Sequence, residues 1–271
     1  MTTAVTTTMK ETSPMRRHLL LPALALVALV GCADDSSGTT TEPTTPASVA
    51  ATEVPPTEVP STEAPSTEVP GTDATAGETI AFTAEVWADN WFSLYVNGEL
   101  VGEDSVPITT ERSFNAETIT FTATYPLTIA MVTKDFKETD SGLEYIGTDR
   151  QQMGDGGFIA QITDTSTGEI VATTGADWRN LVIHRAPLNQ DCAGSADPNT
   201  DCQFESLDEP ADWTAAAFDD SAWGTAAVYT AEQVGAKDGY DTITWSADAS
   251  LIWSSDLKVD NTILWRTVVA G

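Results

Sequence analysis

From residue 79 onward, apolar and polar residues alternate one by one through much of the chain, the period of a strand with one buried face. In Trp91-Phe-Ser-Leu-Tyr-Val96, one face carries Phe92, Leu94 and Val96 and the other Trp91, Ser93 and Tyr95. Asn97-Gly98 then supplies a hairpin turn signal. In 117–125 the apolar residues Ile119, Phe121, Ala123 and Tyr125 alternate with threonines, which predicts a second strand with a wet face. Further strands are predicted over 127–133, 158–164, 169–174, 181–185, 242–245 and 262–269. Turn clusters such as Gly154-Asp-Gly-Gly157 and Asp164-Thr-Ser-Thr-Gly168 separate them.

No stretch of helical length carries a 3.6-residue period. Many short strands between turns predict an all-β fold, an antiparallel β-sandwich of jelly-roll type. The segment 189–217 breaks the pattern: it holds Cys192 and Cys202, two prolines and few β-branched residues, and reads as a structured loop.

The first 78 residues follow a different logic. Arg16-Arg17-His18 precedes an apolar run from Leu19 to Val30, the layout of an export signal. That run is well short of the roughly 20 residues of a membrane-spanning helix. Leu29-Val30-Gly31-Cys32 resembles the bacterial lipobox, and the resemblance implies that Cys32 becomes the lipid-carrying first residue of the mature chain. Met9 and Met15 are alternative starts. After Cys32 come drifting repeats, PTEVP, STEAP and STEVP, without an aromatic residue. Such a composition has too little apolar surface to offset the entropy of ordering, which predicts a disordered tether. The expected organisation is a signal peptide over 1–31, lipidated Cys32 and linker over 32–78, and a sandwich over 79–271. The chain is expected in the cell envelope, facing outward from the cytoplasmic membrane.

Charge and cysteine count narrow the partners. The chain has 41 acidic against 12 basic residues, a net charge of −29, which argues against a phosphate-backbone ligand; no nucleic acid is expected. Export to an oxidising compartment makes a Cys192–Cys202 disulfide the expected state of the two remaining cysteines.

Candidate chemistry is sparse. After the signal the chain has one histidine, His184, in a predicted strand and without a G-x-S-x-G elbow, so no triad is expected. Carboxylates are so abundant that some pair will meet the spacing a glycosidase needs by chance. The chain is therefore expected not to be an enzyme. Asp197, Asn199 and Asp201 stand at alternate positions like the start of a calcium loop, though Cys202 occupies the place of its glycine. No cofactor is expected other than a structural calcium there. Trp91 and Tyr95, at i and i+4 on one strand face, could form a flat platform for sugar rings if both point outward.

Four blocks together resemble the galactose-binding-like jelly-roll domains that accompany bacterial glycosidases. They are Trp213…Phe218-Asp219-Asp220-Ser221-Ala222-Trp223; Asp89-Asn90-Trp91 to Asn97-Gly98; Gly156-Gly157 to Asp177-Trp178; and Leu251 to Trp265-Arg266. The block order is changed, since the N-G strand comes before the D-D-S-x-W block, as in a circular permutation. The resemblance implies that the late block is a structural corner in which Phe218 and Trp223 bury while Asp219, Asp220 and Ser221 bond nearby backbone N–H groups.

The expected function is a secreted, lipid-anchored, non-catalytic module for carbohydrate. Alternatives are a protein-interaction module and a glycoside-active hydrolase. The expected partners are the membrane, through the lipid, and surface glycans or another envelope protein. Metabolic labelling with a fatty-acid analogue should mark the wild type and fail for Cys32→Ser; equal labelling of both would refute lipidation at Cys32.

Overall fold

The computed structural model of the chain describes residues 77–108 and 115–271. The signal peptide, Cys32 and the linker up to residue 76 lie outside the described residues. In chain order the strands are β1 (Ile80–Asp89), β2 (Trp91–Val96), β3 (Glu99–Glu103), β4 (Asn115–Ala123), β5 (Leu127–Lys134), β6 (Leu143–Glu144), β7 (Gln152–Met153) and β8 (Gly157–Asp164). They continue with β9 (Ile170–Thr173), β10 (Arg179–Arg185), β11 (Glu205–Ser206), β12 (Gly224–Thr225), β13 (Ala227–Tyr229), β14 (Leu251–Trp253) and β15 (Asp260–Val269). Two single-turn helices, α1 (Pro198–Asp201) and α2 (Ala231–Val234), lie in the connections.

The strands form an antiparallel β-sandwich. The first sheet runs β13-β14-β8-β1-β4, with β9 also on β8; the second runs β11-β10-β15-β5-β2-β3, with β12 also on β10. Alternation sets what faces inward. Phe82, Ala84, Val86 and Ala88 of β1 meet Phe92, Leu94 and Val96 of β2 and Ile129 and Met131 of β5 in the core. Phe158, Trp178, Trp253 and Trp265 complete it. The three inner indoles keep their polar atoms satisfied: Trp265 Nε1 donates to Thr133 Oγ1 at 2.8 Å, Trp253 Nε1 to the Asp260 carbonyl at 2.9 Å and Trp178 Nε1 to the Thr173 carbonyl at 2.9 Å.

The outer faces are only partly wet. Thr118, Thr120 and Thr122 of β4 are exposed as the alternation predicts. Elsewhere each sheet carries a second apolar layer. On the first sheet, Trp87 is completely buried with Ile159, Leu251 and Val234, beneath Tyr240 and Trp245. Its Nε1 lies 3.1 Å from the Lys237 carbonyl and 3.2 Å from that of Asp238. Residues 242–245, predicted as a strand, instead leave a 3₁₀ turn at Tyr240–Thr242. The reason is side-chain packing. Trp245 lies against Tyr240, with ring centroids 6.0 Å apart and its Nε1 donating to the Tyr240 carbonyl, which closes the cap rather than extending a ladder.

On the second sheet the cap is the D-D-S-x-W segment. Trp213 and Trp223 bury with Ala130, Val132, Ile183 and Leu264, and Phe218 packs beside them. Arg266, 1% exposed, rises from β15 into this cap. Its Nε donates to Asp220 Oδ2 at 2.8 Å, its Nη1 to the Trp213 carbonyl, and its guanidinium lies 5.3 Å from the centre of the Phe218 ring. Asp219 accepts from the Ser221 N–H as expected of a corner. Asp220 departs from the expectation, because a buried guanidinium is a stronger partner than a backbone N–H.

Breaking a buried ion pair from one side leaves an uncompensated charge. Asp220→Ala should therefore lose about 3 kcal/mol in urea denaturation, and Asp220→Ala with Arg266→Met should lose less than the single change. A double variant weaker than the single one would refute the clamp.

Candidate functional site

Three adjacent strands of the second sheet, β5, β15 and β10, end side by side. Lys134, Thr262 and Ile183 thereby form the floor of an open groove of about 710 Å³. The turn after β5 contributes Phe136, Lys137, Glu138 and Asp140 as one wall, and Leu207 and Glu209 form part of the other. The lining is amphipathic: amines, carboxylates and apolar side chains all reach one space.

His184 stands at the side of this groove. Its Nδ1 is 3.0 Å from Asn261 Oδ1, and its ring stacks on Phe204 with centroids 5.9 Å apart. Its Nε2 lies 3.3 Å from Asp140 Oδ1, yet without the alignment of a hydrogen bond. Burial lowers the His184 pKa and Lys137 lowers it further, against Asn261 and Asp140, which favours a neutral imidazole. Asp140 is itself lowered, chiefly by the hydrogen bond from Lys137 Nζ at 2.7 Å.

Adjoining the groove through Asp135 lies an acidic centre that the sequence did not single out. Asp135 follows β5, Asp89 ends β1, Glu144 lies on β6 and Asp155 precedes β8. Asp135 is 2% exposed, Asp89 4% and Glu144 7%. Burial raises Asp135 well above the ordinary carboxyl range, and Asp89, Glu144 and Asp155 raise it further. Asp89 is raised for the same reasons, burial first and then Asp155, with Lys237 opposing. Burial also raises Asp155, against Lys237 and Lys258. Asn261 Nδ2 approaches Asp135 Oδ2 at 3.4 Å, whereas Asp135 Oδ1 is buried without a hydrogen-bond partner among the described residues. The visible signals were an aspartate after a strand and Gly154-Asp155-Gly156-Gly157, which read as an ordinary turn.

The sequence-predicted residues lie in separate places. Trp91 and Tyr95 do share the outer face of β2, but both are half-buried against the aromatic cap. Trp213 meets Tyr95 edge-on, with centroids 5.9 Å apart, and Lys134 Nζ sits 4.6 Å from the centre of the Trp91 ring. The expected open platform is thus largely roofed, because the segment leading to Trp223 buries its own aromatics on that face. Cys192 and Cys202 form the expected disulfide, Cα to Cα 5.3 Å, within the predicted loop.

In that loop Asp197, Asn199 and Asp201 do not converge on one empty point. Asn199 Oδ1 accepts from Thr139 Oγ1 at 2.6 Å, and Asp201 Oδ2 from Ser195 Oγ at 2.5 Å. Among the described residues, no three His, Cys, Asp or Glu side chains stand together as a ready-made metal site.

No family model, curated protein or solved structure matches the chain.

The raised carboxyls make a pH dependence with a definite sign. Burial also lifts Asp104 to about 7, against the Val106 N–H bond. A carboxyl of raised folded pKa holds its proton more tightly folded than unfolded. Its stabilisation is complete below the ordinary value of about 3.9 and is lost as pH rises through the folded value. In EDTA, denaturation midpoints should fall between about pH 5 and about pH 7.5, with a shallower fall in Asp135→Asn. A midpoint that climbs over this range would refute the assignment.

Proposed function

We propose that this chain is a lipid-anchored protein of the cell envelope whose β-sandwich binds carbohydrate without catalysis, in the groove floored by Lys134, Ile183 and Thr262. The observation that carries this reading is the groove's mixed lining. Sugars present hydroxyls and apolar C–H faces together. Lys137, Glu138, Asp140 and Glu209 supply hydrogen-bonding groups for the former, and Phe136, Ile183 and Leu207 supply apolar surface for the latter. The resemblance of four sequence blocks to galactose-binding-like jelly rolls supports the same direction, and the tether would hold the domain clear of the membrane. Trp91 then acts beside the groove, through Lys134, rather than as half of an open platform.

A second reading has its own observation. Phe204 and Leu207 are about half exposed, and Leu188, whose N–H bonds the Gln203 carbonyl, is exposed beside them. An apolar edge of this kind also suits an envelope protein partner.

Glycan-array binding of the full chain in detergent separates the two. The carbohydrate reading expects a specific signal that drops at least about tenfold in Lys137→Ala/Asp140→Ala, a loss of about 1.4 kcal/mol, with the circular dichroism unchanged. No glycan signal, with binding to an envelope protein that Leu207→Ala abolishes, would replace it with the second reading. Turnover of chromogenic glycosides would overturn the non-catalytic part.

A further inference from the structure

We propose that the acidic centre formed by Asp89, Asp135, Glu144 and Asp155 binds a hard divalent cation of calcium's size, whatever the adjoining groove binds. The four carboxylates come from four separate elements; the Asn90 N–H bond to the Lys134 carbonyl sets Asp89 close to Asp135 along the chain ends, and three of the four belong to buried residues. Lys237 opposes the charge of Asp89 and Asp155, and Lys258 that of Asp155. Asp135 is the member that points to a ligand. Its side chain is almost wholly buried and held at one oxygen by Asn261, and its Oδ1 has no donor among the described residues.

The backbone opposite is shaped to the same end. Gly154 passes so close that a Cβ there would stand 2.6 Å from both oxygens of Asp135. Asp155 follows Gly154 directly in the chain, in the same turn. The pairing of Asp89 with Gly157 fixes Asp89 to the same turn from the other side.

A buried carboxylate oxygen without a donor has two chemical remedies, a proton or a cation. Calcium takes six to eight oxygen ligands in flexible geometry and readily uses carbonyls and water for several of them. Two carboxylates of the four therefore suffice, and a ready-made cage of three is not required. Magnesium is the poorer fit, because it gives up water reluctantly and demands octahedral geometry.

The test is calorimetric titration of the full chain in detergent, stripped with EDTA and then dialysed. The expected result is a single-site isotherm with CaCl₂, a rise in melting temperature on saturation, weaker binding of MgCl₂ and proton release that grows as the pH is lowered toward 5. Affinity should fall at least about tenfold in Asp135→Asn and in Asp155→Asn. Asp155 is the less buried of the pair, so its variant keeps the test open should Asp135→Asn fail to fold. Asp197→Asn/Asp201→Asn should bind as the wild type does. Absence of both heat and thermal shift, or wild-type affinity in Asp135→Asn and Asp155→Asn, would overturn the proposal. Loss of binding confined to Asp197→Asn/Asp201→Asn would likewise overturn it by moving the ion to the disulfide loop.

Discussion

The Arg266 guanidinium, buried on the outer face of the second sheet, fixes how much of the rest is arranged. A charge in that position must be neutralised and its donors satisfied, because an unpaired buried cation costs several kcal/mol. Asp220 supplies the countercharge and the Trp213 carbonyl accepts another donor, so the chain from 213 to 223 has to lie across β15. Once it does, Trp213, Phe218 and Trp223 bury over Ala130, Val132 and Leu264, and Tyr95 comes to lie under Trp213. The roof covers one end of the sheet. The groove occupies the part that it leaves open.

The same principle acts on the first sheet without a charge. Trp87 points away from the sandwich core, and an indole in water forfeits a large apolar burial. Residues 231–249 fold over it, with α2 closed by a Thr230–Gln233 capping box and the Lys237 and Asp238 carbonyls receiving the Trp87 N–H. A two-layer sandwich thus acquires a further apolar layer outside each sheet. That is how the described domain buries tryptophans without a larger central core.

The candidate groups concentrate where these layers stop. The groove and the acidic centre share Asp135, which lines the one and anchors the other. Carboxylates with raised pKa values are common at functional sites because folding energy has been spent on keeping them there. Among the described residues, most acidic side chains are not buried and carry no such information. Convergence from distant elements is what separates these few from the rest, and convergence has no local signature.

Local chemistry, read from the chain alone, settled the fold class: period-2 alternation marked most of the long strands, including β2, β4, β5, β8 and β15, to within a few residues. It also pointed to the disulfide, since export was expected and two cysteines remained to pair, and the structure forms it. The D-D-S-x-W block was legible as a corner with Phe218 and Trp223 turned inward. Its partner was not, because Arg266 lies 46 residues from Asp220 and no short-range rule connects them. For the same reason alternation placed Trp91 and Tyr95 on an outer face but could not show what covers that face. Periodicity reports on which side of a strand a residue lies. What stands opposite that side is fixed by the tertiary packing of distant segments, and here this decided the roof over Tyr95, the open groove beside it and the meeting of Asp89, Asp135, Glu144 and Asp155.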